Sequence, residues 1–598
     1  MTGAEQNIWA EPGTAGKTGS EESGVPMTVL DGAGKQEPKP EKATEETKRM
    51  KERFGFFGPA AFLYAVFYTF CMYKNGSGVT FPFFVAGSLL FLCLSLAKLE
   101  TTLKKGSVYY MAAIVLLGIS TFCTDDGRII FLNKLGIFLL MMSLLLKQYF
   151  DTSKWGPGKF LSSIFRLIFG VGGVAAEPFR DGAECWANYR REKGGKADGR
   201  IWAVGLGLLA GIPLLLVVLL LLSSADALFR KMAERLLGGI RLDNVMNIAA
   251  RILLMFLAAY CLTAFLCKKK IDEEVKDRRS GEPVLAITVT GMLTALYLVF
   301  SVVQINGLFL GRMQLPEGYT YAAYAREGFF QLLTVSLLNL VIVLVCLCYF
   351  KSSKVLKTVL IIMSVCTYIM IASSAMRIVM YVRSYYLTFL RVLVFWGLAL
   401  LAVLFAGVMI HIFREKFHLF RYCVAVVTVM YLALSFAHPD YLIARINLAN
   451  VSGNDGGNTF RNENGGIAEN VNNSDTDNAN NNDYVNVNSK NVGMKKEAET
   501  GTGYQDYWYL SGLCADAAPV LVPCMESMGY DMKAWTADET PVEYGERVNS
   551  GKTVGYPANA FGYVWMEKME RRAEDLNWRT FNLSRYWMIR LFGRAAGK

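Results

Sequence analysis

The residues best placed to do chemistry are the polar ones at the ends of long apolar runs. Ser223-Ser-Ala-Asp226 closes one such run, and Gln304 and Asn306 close another. Tyr321, Tyr324, Arg326, Glu327 and Gln331 open the next, and Arg377, Tyr381, Arg383, Tyr385 and Arg391 join two more. A charge at the mouth of a membrane span is costly unless it pairs or works. On a helix Glu327 and Gln331 share a face, as do Arg377, Tyr381 and Tyr385. Asp226, Gln304, Asn306, Tyr321, Tyr324, Arg326, Glu327, Gln331, Arg377, Tyr381, Arg383 and Arg391 thus form a candidate polar belt on one side of the membrane. It offers a path for a polar solute or a lipid headgroup, or an acid or base at Glu327 or Asp226. The alternative is a structural ion-pair network with tyrosines as interfacial anchors. Arg326 and Glu327 are adjacent, so their side chains diverge by about 100°. Arg377 is therefore the expected partner of Glu327.

No enzyme constellation accompanies the belt. The three histidines, His411, His418 and His438, show neither metalloprotease spacing nor a triad pattern. No metal site and no cofactor are expected. Gly13-Thr-Ala-Gly16-Lys17-Thr18 is too short between its glycines for a phosphate loop. Gly207 and Gly211 have the small-xxx-small spacing of close helix packing. Asp475-Thr-Asp477 lacks the glycine and glutamate of a calcium loop. Cys514 and Cys524 lie together near the C-terminus, where a disulfide is permitted if that region is outside the cell; two free thiols are the alternative.

The elements that position the belt are membrane helices. The chain has 598 residues, 53% of them hydrophobic, and a net charge of +11. Its apolar residues come in uninterrupted runs of about 20, the length that crosses a ~30 Å hydrocarbon core. About eleven spans are expected: 54–72, 79–97, 108–123, 129–146, 201–222, 245–267, 284–310, 329–350, 355–375, 392–412 and 422–437. The third and fourth are joined by the tight turn Thr124-Asp-Asp-Gly-Arg128. The positive charge concentrates in alternate short loops, which argues for topology and against nucleic acid. Those loops carry more than twice the Lys and Arg of the opposite set. The N-terminus is therefore expected in the cytoplasm, with the belt and the C-terminal region on the outer side. No secretory signal peptide is expected, so the first span serves as the insertion signal.

The predicted organisation is an all-α integral membrane protein. Residues 1–53 read as a disordered cytoplasmic tail and 54–146 as a four-span unit. Residues 147–200 form a cytoplasmic loop, in which Phe160, Ile164, Leu167 and Ile168 make an amphipathic face for the bilayer interface or for a covered connector. Residues 201–437 form a seven-span core. Residues 438–503 are an Asn-rich flexible linker, and 504–598 a small, mainly helical extracytoplasmic domain. Helical runs are expected there at Cys514–Met528 and Tyr563–Leu576. Trp578, Phe581, Trp587 and Phe592 either build its core or lie on the bilayer, and the core reading is favoured.

Several stretches carry a resemblance. Ser223 to Phe229, Tyr321 to Gln331 with Leu338-Asn339, Arg377 to Thr388 with Arg391, and His438-Pro-Asp-Tyr-Leu-Ile-Ala-Arg-Ile-Asn447 resemble a bacterial polytopic membrane family, domain of unknown function 4173. Tyr509 to Pro519 and Trp578-Arg-Thr-Phe-Asn582-Leu-Ser-Arg585 resemble that family's ending. A neighbouring family, number 4153, is the near alternative. The resemblance implies a multi-pass protein of a bacterial cytoplasmic membrane and implies no activity.

The expected function is a non-enzymatic scaffold or sensor whose outer domain meets a cell-envelope protein partner. A transporter or lipid-handling protein using the belt is the alternative, and an outer-face lipid or glycan enzyme ranks last.

Overall fold

A computed structural model describes residues 44–152, 155–192, 242–269, 281–306, 321–414, 416–454, 509–530, 560–574 and 576–595, with single positions between 207 and 222 and at 271. Among them the protein is an all-α multi-pass membrane bundle carrying a small helical cap. Among the described residues the one β feature is an isolated bridge between Gly281 and Phe350.

Short α1 (Glu45–Glu52) leads into α2 (Phe54–Met72), α3 (Thr80–Lys98), α4 (Ser107–Cys123) and α5 (Gly127–Tyr149). α6 (Pro157–Gly170) and α7 (Glu177–Glu192) follow, then α8 (Leu242–Cys267). α9 (Pro283–Gln304), α10 (Tyr321–Tyr349), α11 (Lys354–Tyr385), α12 (Phe389–Phe413) and α13 (Leu419–Phe436) complete the membrane part. Nine of these helices are long and apolar enough to cross a membrane, and α4, at 17 residues, is a shorter apolar helix. Ten of the eleven expected spans are thus met by apolar helices. The other run, 201–222, lies outside the described residues apart from a few positions.

Two apolar cores hold the bundle. Phe57, Ala61, Val85, Ile114, Leu117, Leu144, Tyr260 and Phe265 belong to the first, built from α1 to α6 and α8. Val343, Leu360, Met363, Leu398, Phe405 and Val408 belong to the second, built from α9 to α12. α13 joins them, packing on α12 on one side and α4 on the other. Small residues allow close approach: Gly118 meets Val85, and Gly407 lies under the Tyr422 ring. This is how helices pack where lipid removes any hydrophobic drive between them.

The face at the start of α2 is the base. There α1 is pinned by Glu46–Lys269 at 2.8 Å, and α7 by Lys51–Glu184 at 3.1 Å and Lys268–Glu177 at 2.7 Å. α6 and α7 meet at a 50° bend. Phe160, Ile164 and Leu167 of α6 are buried, while Leu161, Phe165 and Phe169 are exposed. Of the four residues of the expected amphipathic face, Phe160, Ile164 and Leu167 are thus covered by the bundle and Ile168 is exposed. The polar groups of α7 still lie at the base, whereas Asn244 near the start of α8 binds the Tyr73 hydroxyl at the opposite end of α2.

That opposite face carries the cap. After α13, the helix α14 (Pro439–Asn454) runs into the segment expected to be a flexible linker. It is ordered because Asn447 exchanges two hydrogen bonds with the Leu387 backbone, at 2.8 and 2.9 Å. A 3-10 turn at Ala515–Ala517 leads into α15 (Ala518–Ser527), and α16 (Ala560–Glu574) and α17 (Leu583–Ala595) complete the cap. Its core gathers Leu513, Leu521, Met525, Trp565, Met569, Met588 and Phe592 with Ile443 and Ala444 of α14. Of the four aromatics expected to form that core, only Phe592 does. Phe581 packs against Phe122 of the bundle, and Trp578 and Trp587 are exposed. Trp565, fully buried, takes the central place, its indole N–H donating to the Leu513 carbonyl.

Candidate functional site

Among the described residues, the densest set of buried charged groups lies where the cap meets the bundle. Four bundle loops meet there: 73–79 between α2 and α3, 124–126 between α4 and α5, 386–388 between α11 and α12, and 437–438 between α13 and α14. The carboxylates of Asp125, Asp126, Asp440 and Asp516 are all nearly inaccessible, with side chains at 1–2% exposure. Such burial is tolerated only with partners, and each has them.

Asp516, in the 3-10 turn of the cap, is the centre. It accepts hydrogen bonds from Thr124 Oγ1 at 2.5 Å, the Asp125 backbone N–H at 2.8 Å and Ser584 Oγ at 2.5 Å, and faces His438 Nδ1 at 3.0 Å. Two of these partners come from the 124–126 loop, one from the 437–438 loop and one from α17. Burial pushes the Asp516 carboxyl up, but the bonds from His438, Ser584 and Thr124 outweigh it and hold it below its ordinary 3.8. The reciprocal effect holds the His438 imidazole above its ordinary 6.5: the Asp516 hydrogen bond raises it against the opposing effect of burial.

Asp125 is clamped by two cap arginines, Arg585 Nε at 2.7 Å and Arg572, and its carboxylate also receives the Ala515 N–H at 3.4 Å. Asp126 caps α5, accepting the Arg128 N–H at 2.9 Å, and pairs in two-pronged fashion with the same guanidinium at 2.9 and 2.8 Å. Arg128 also reaches Asp440 at 2.5 Å and lies 3.8 Å from the Phe389 ring centroid. Asp440 takes the Cys514 N–H at 3.0 Å, and burial with the nearby Asp126 charge pushes its carboxyl up. Asn582 binds the carbonyls of Thr124 and Ser77 while its own oxygen caps α17. The backbone adds Val79 N–H to Phe581 O at 2.7 Å.

Beneath this junction a neutral chain enters the bundle. Asn133, fully buried on α5, accepts from Tyr431 and Ser435 of α13 at 2.7 Å each, and Ser435 pairs with Ser120 of α4 at 2.6 Å.

The expected belt is differently disposed. Gln304 is buried and accepts from Ser373 Oγ at 2.6 Å. Arg377 is buried against Gly328 of α10, the residue following Glu327. Arg391 lies over the Tyr381 ring at 4.2 Å and donates to the Tyr386 carbonyl. Asn306 and Gln331 are exposed. Asp226 and the side chains of Tyr321, Tyr324, Arg326, Glu327 and Arg383 lie outside the described residues. Cys514 and Cys524 are free thiols, the first buried; no bond joins them. Among the described residues no cluster of three metal-ligating side chains occurs.

The junction residues went unassigned in the sequence. Asp125 and Asp126 were visible as a doublet between two apolar runs, the same costly placement that singled out Arg326 and Glu327. Their partners sit as far as 460 positions away, where no spacing rule reaches.

A family model described as Domain of unknown function (DUF4153) matches residues 111–462, more than half of the chain. It is the neighbouring family of the two that the sequence resembles. The match includes Asp125, Asp126, Arg128, His438 and Asp440, and stops before the cap. No curated protein and no solved structure matches the chain.

Proposed function

The chain belongs to the family of domain of unknown function 4153, and from the junction we propose a non-enzymatic scaffold or sensor of a bacterial cytoplasmic membrane. One observation carries this reading: the buried carboxylates of Asp516 and Asp125 are spent on joining cap to bundle. Asp516 accepts four polar contacts and Asp125 is held by two arginines. A general acid or nucleophile needs an unfilled contact for its substrate, and Asp516 has none. The junction instead couples the position of the cap to four loops of the bundle. A partner that binds the cap would be felt at α5, α12 and α13 through it.

The distribution of Lys and Arg supports a cytoplasmic base and an extracytoplasmic cap. Externally applied thiol label should modify a cysteine introduced at Asn473 and spare one at Lys276; the reverse pattern would place the cap inside. The transporter reading gains little from the belt, since Gln304 and Arg391 are engaged with Ser373 and Tyr381.

The test of the scaffold reading is a photo-crosslinker at Trp587, exposed on α17. In intact cells it should capture a specific envelope protein, absent from a control crosslinker at lipid-facing Leu254. Identical capture patterns at the two positions would remove the basis for an outer partner.

A further inference from the structure

We propose that the groove between α2 and α3 seats an acyl chain of an anionic phospholipid, with its phosphate held by Arg579 and Arg251. This inference stands apart from the junction and from the scaffold reading.

The groove has a volume of about 640 Å³ and is lined by Phe67, Phe70, Val79, Phe83, Ala86 and Leu90, without a charged group. It opens on the outside of the bundle, where Phe70, Phe83 and Leu90 are 47%, 62% and 59% exposed. That is a lipid-facing stripe at the cap end of the two helices. Trp578 of the cap lines its end, 5.9 Å from the Phe70 ring. A tryptophan 70% exposed at the end of apolar helices marks the headgroup level.

Cations gather at that level. The Arg579 guanidinium lies 5.7 Å from the Phe70 centroid, Arg251 of α8 lies 5.8 Å from the Tyr73 centroid, and Lys74 lies 5.6 Å from the same ring. Among the described residues no carboxylate forms an ion pair with any of the three. The charge deficit and the apolar slot below it match the two ends of an anionic phospholipid, and neither end alone specifies one. Close packing shapes the slot: a Cβ at Gly87 would run into the Phe67 ring.

The experiment places benzoylphenylalanine at Phe83 in the full chain, reconstituted in phosphatidylcholine vesicles containing phosphatidylglycerol. Adducts are then identified by mass spectrometry. The phosphatidylglycerol share of the adducts should exceed its share of the vesicle by about fivefold, the discrimination of a basic residue at a bilayer surface. Arg579→Gln with Arg251→Gln should bring it down to the vesicle composition. Arg251→Gln alone, which leaves the hydrogen bond from Arg579 to the Tyr73 carbonyl in place, should lower it part of the way. Adducts in proportion to bulk lipid, enrichment that survives the double substitution, or crosslinks to residues 201–222 of the chain itself would each overturn the proposal.

Discussion

His438 Nδ1 stands 3.0 Å from Asp516 Oδ2, joining the end of the last membrane helix to the first turn of the cap. His438 adopts a positive φ of 47°, a conformation few side chains accept. The backbone is bent there to bring the imidazole onto the carboxylate.

This pair makes the stability of the protein depend on pH. The folded-state pKa of His438 lies above its ordinary 6.5. Its contribution is therefore complete below about 6.5 and is lost as pH rises through the higher folded value. Asp516 is held below its ordinary 3.8, so its contribution is present above that value and lost as pH falls through the lower one. The contribution of this pair to thermal stability in detergent should be flat between about pH 4 and 6.5 and decline on the alkaline side. His438→Gln should remove that decline. An unchanged alkaline limb would place its origin elsewhere.

Asp516→Ala should be among the most damaging single changes in the chain. It strands the hydroxyls of Thr124 and Ser584, the Asp125 N–H and the His438 imidazole in a buried site. A loss of about 3–5 kcal/mol is expected for a broken buried pair. Asp516→Asn keeps acceptor oxygen for some of these donors and should cost less. Denaturant titration followed by trypsin release of the cap reads both.

Gly78→Ala tests the neutral part of the interface. A Cβ there would collide with the Arg579 carbonyl oxygen and lie 2.7 Å from Thr580 Cα. These are backbone atoms with no rotamer to move. The cap should become more susceptible to protease while the spectroscopic helix content of the bundle stays unchanged. Equal protease resistance would mean that the 577–580 turn does not rest on the α2–α3 loop.

Asn133→Ala separates the membrane network from the junction. It removes the acceptor of Tyr431 and Ser435. Hydrogen bonds between membrane helices average about 0.6 kcal/mol, so the loss should be several-fold smaller than for Asp516→Ala. A larger loss would make this network a principal support of the bundle.

Much of the bundle was legible because run length and apolarity alone decide a membrane helix. The runs 54–72, 79–97 and 392–412 become α2, α3 and α12 with shifts of a few residues. Loop charge sorted the loops into two sets, and the cap-bearing loops at 73–79, 124–126 and 386–388 all fall in one of them. The junction was not legible, because Asp125 is paired with Arg585 and Asp516 with His438 only by the docking of the cap. Asn447 shows why the linker boundary failed. Its composition belongs to the Asn-rich tract, but its amide is bound to Leu387, and composition carries no record of that partner.

Charge pairing fastens the cap to the bundle, and a double-mutant cycle on Asp125 and Arg585 measures that fastening. Arg585 Nε lies 2.7 Å from Asp125 Oδ1 across 460 positions of sequence. Thermal stability in detergent would be measured for the full chain, Asp125→Ala, Arg585→Ala and the pair. Contacting charges should couple by at least about 1 kcal/mol, with the double substitution losing less than the two singles combined. Strict additivity of the two losses would contradict the account, since the two residues would then not meet and the cap would not be held by this junction.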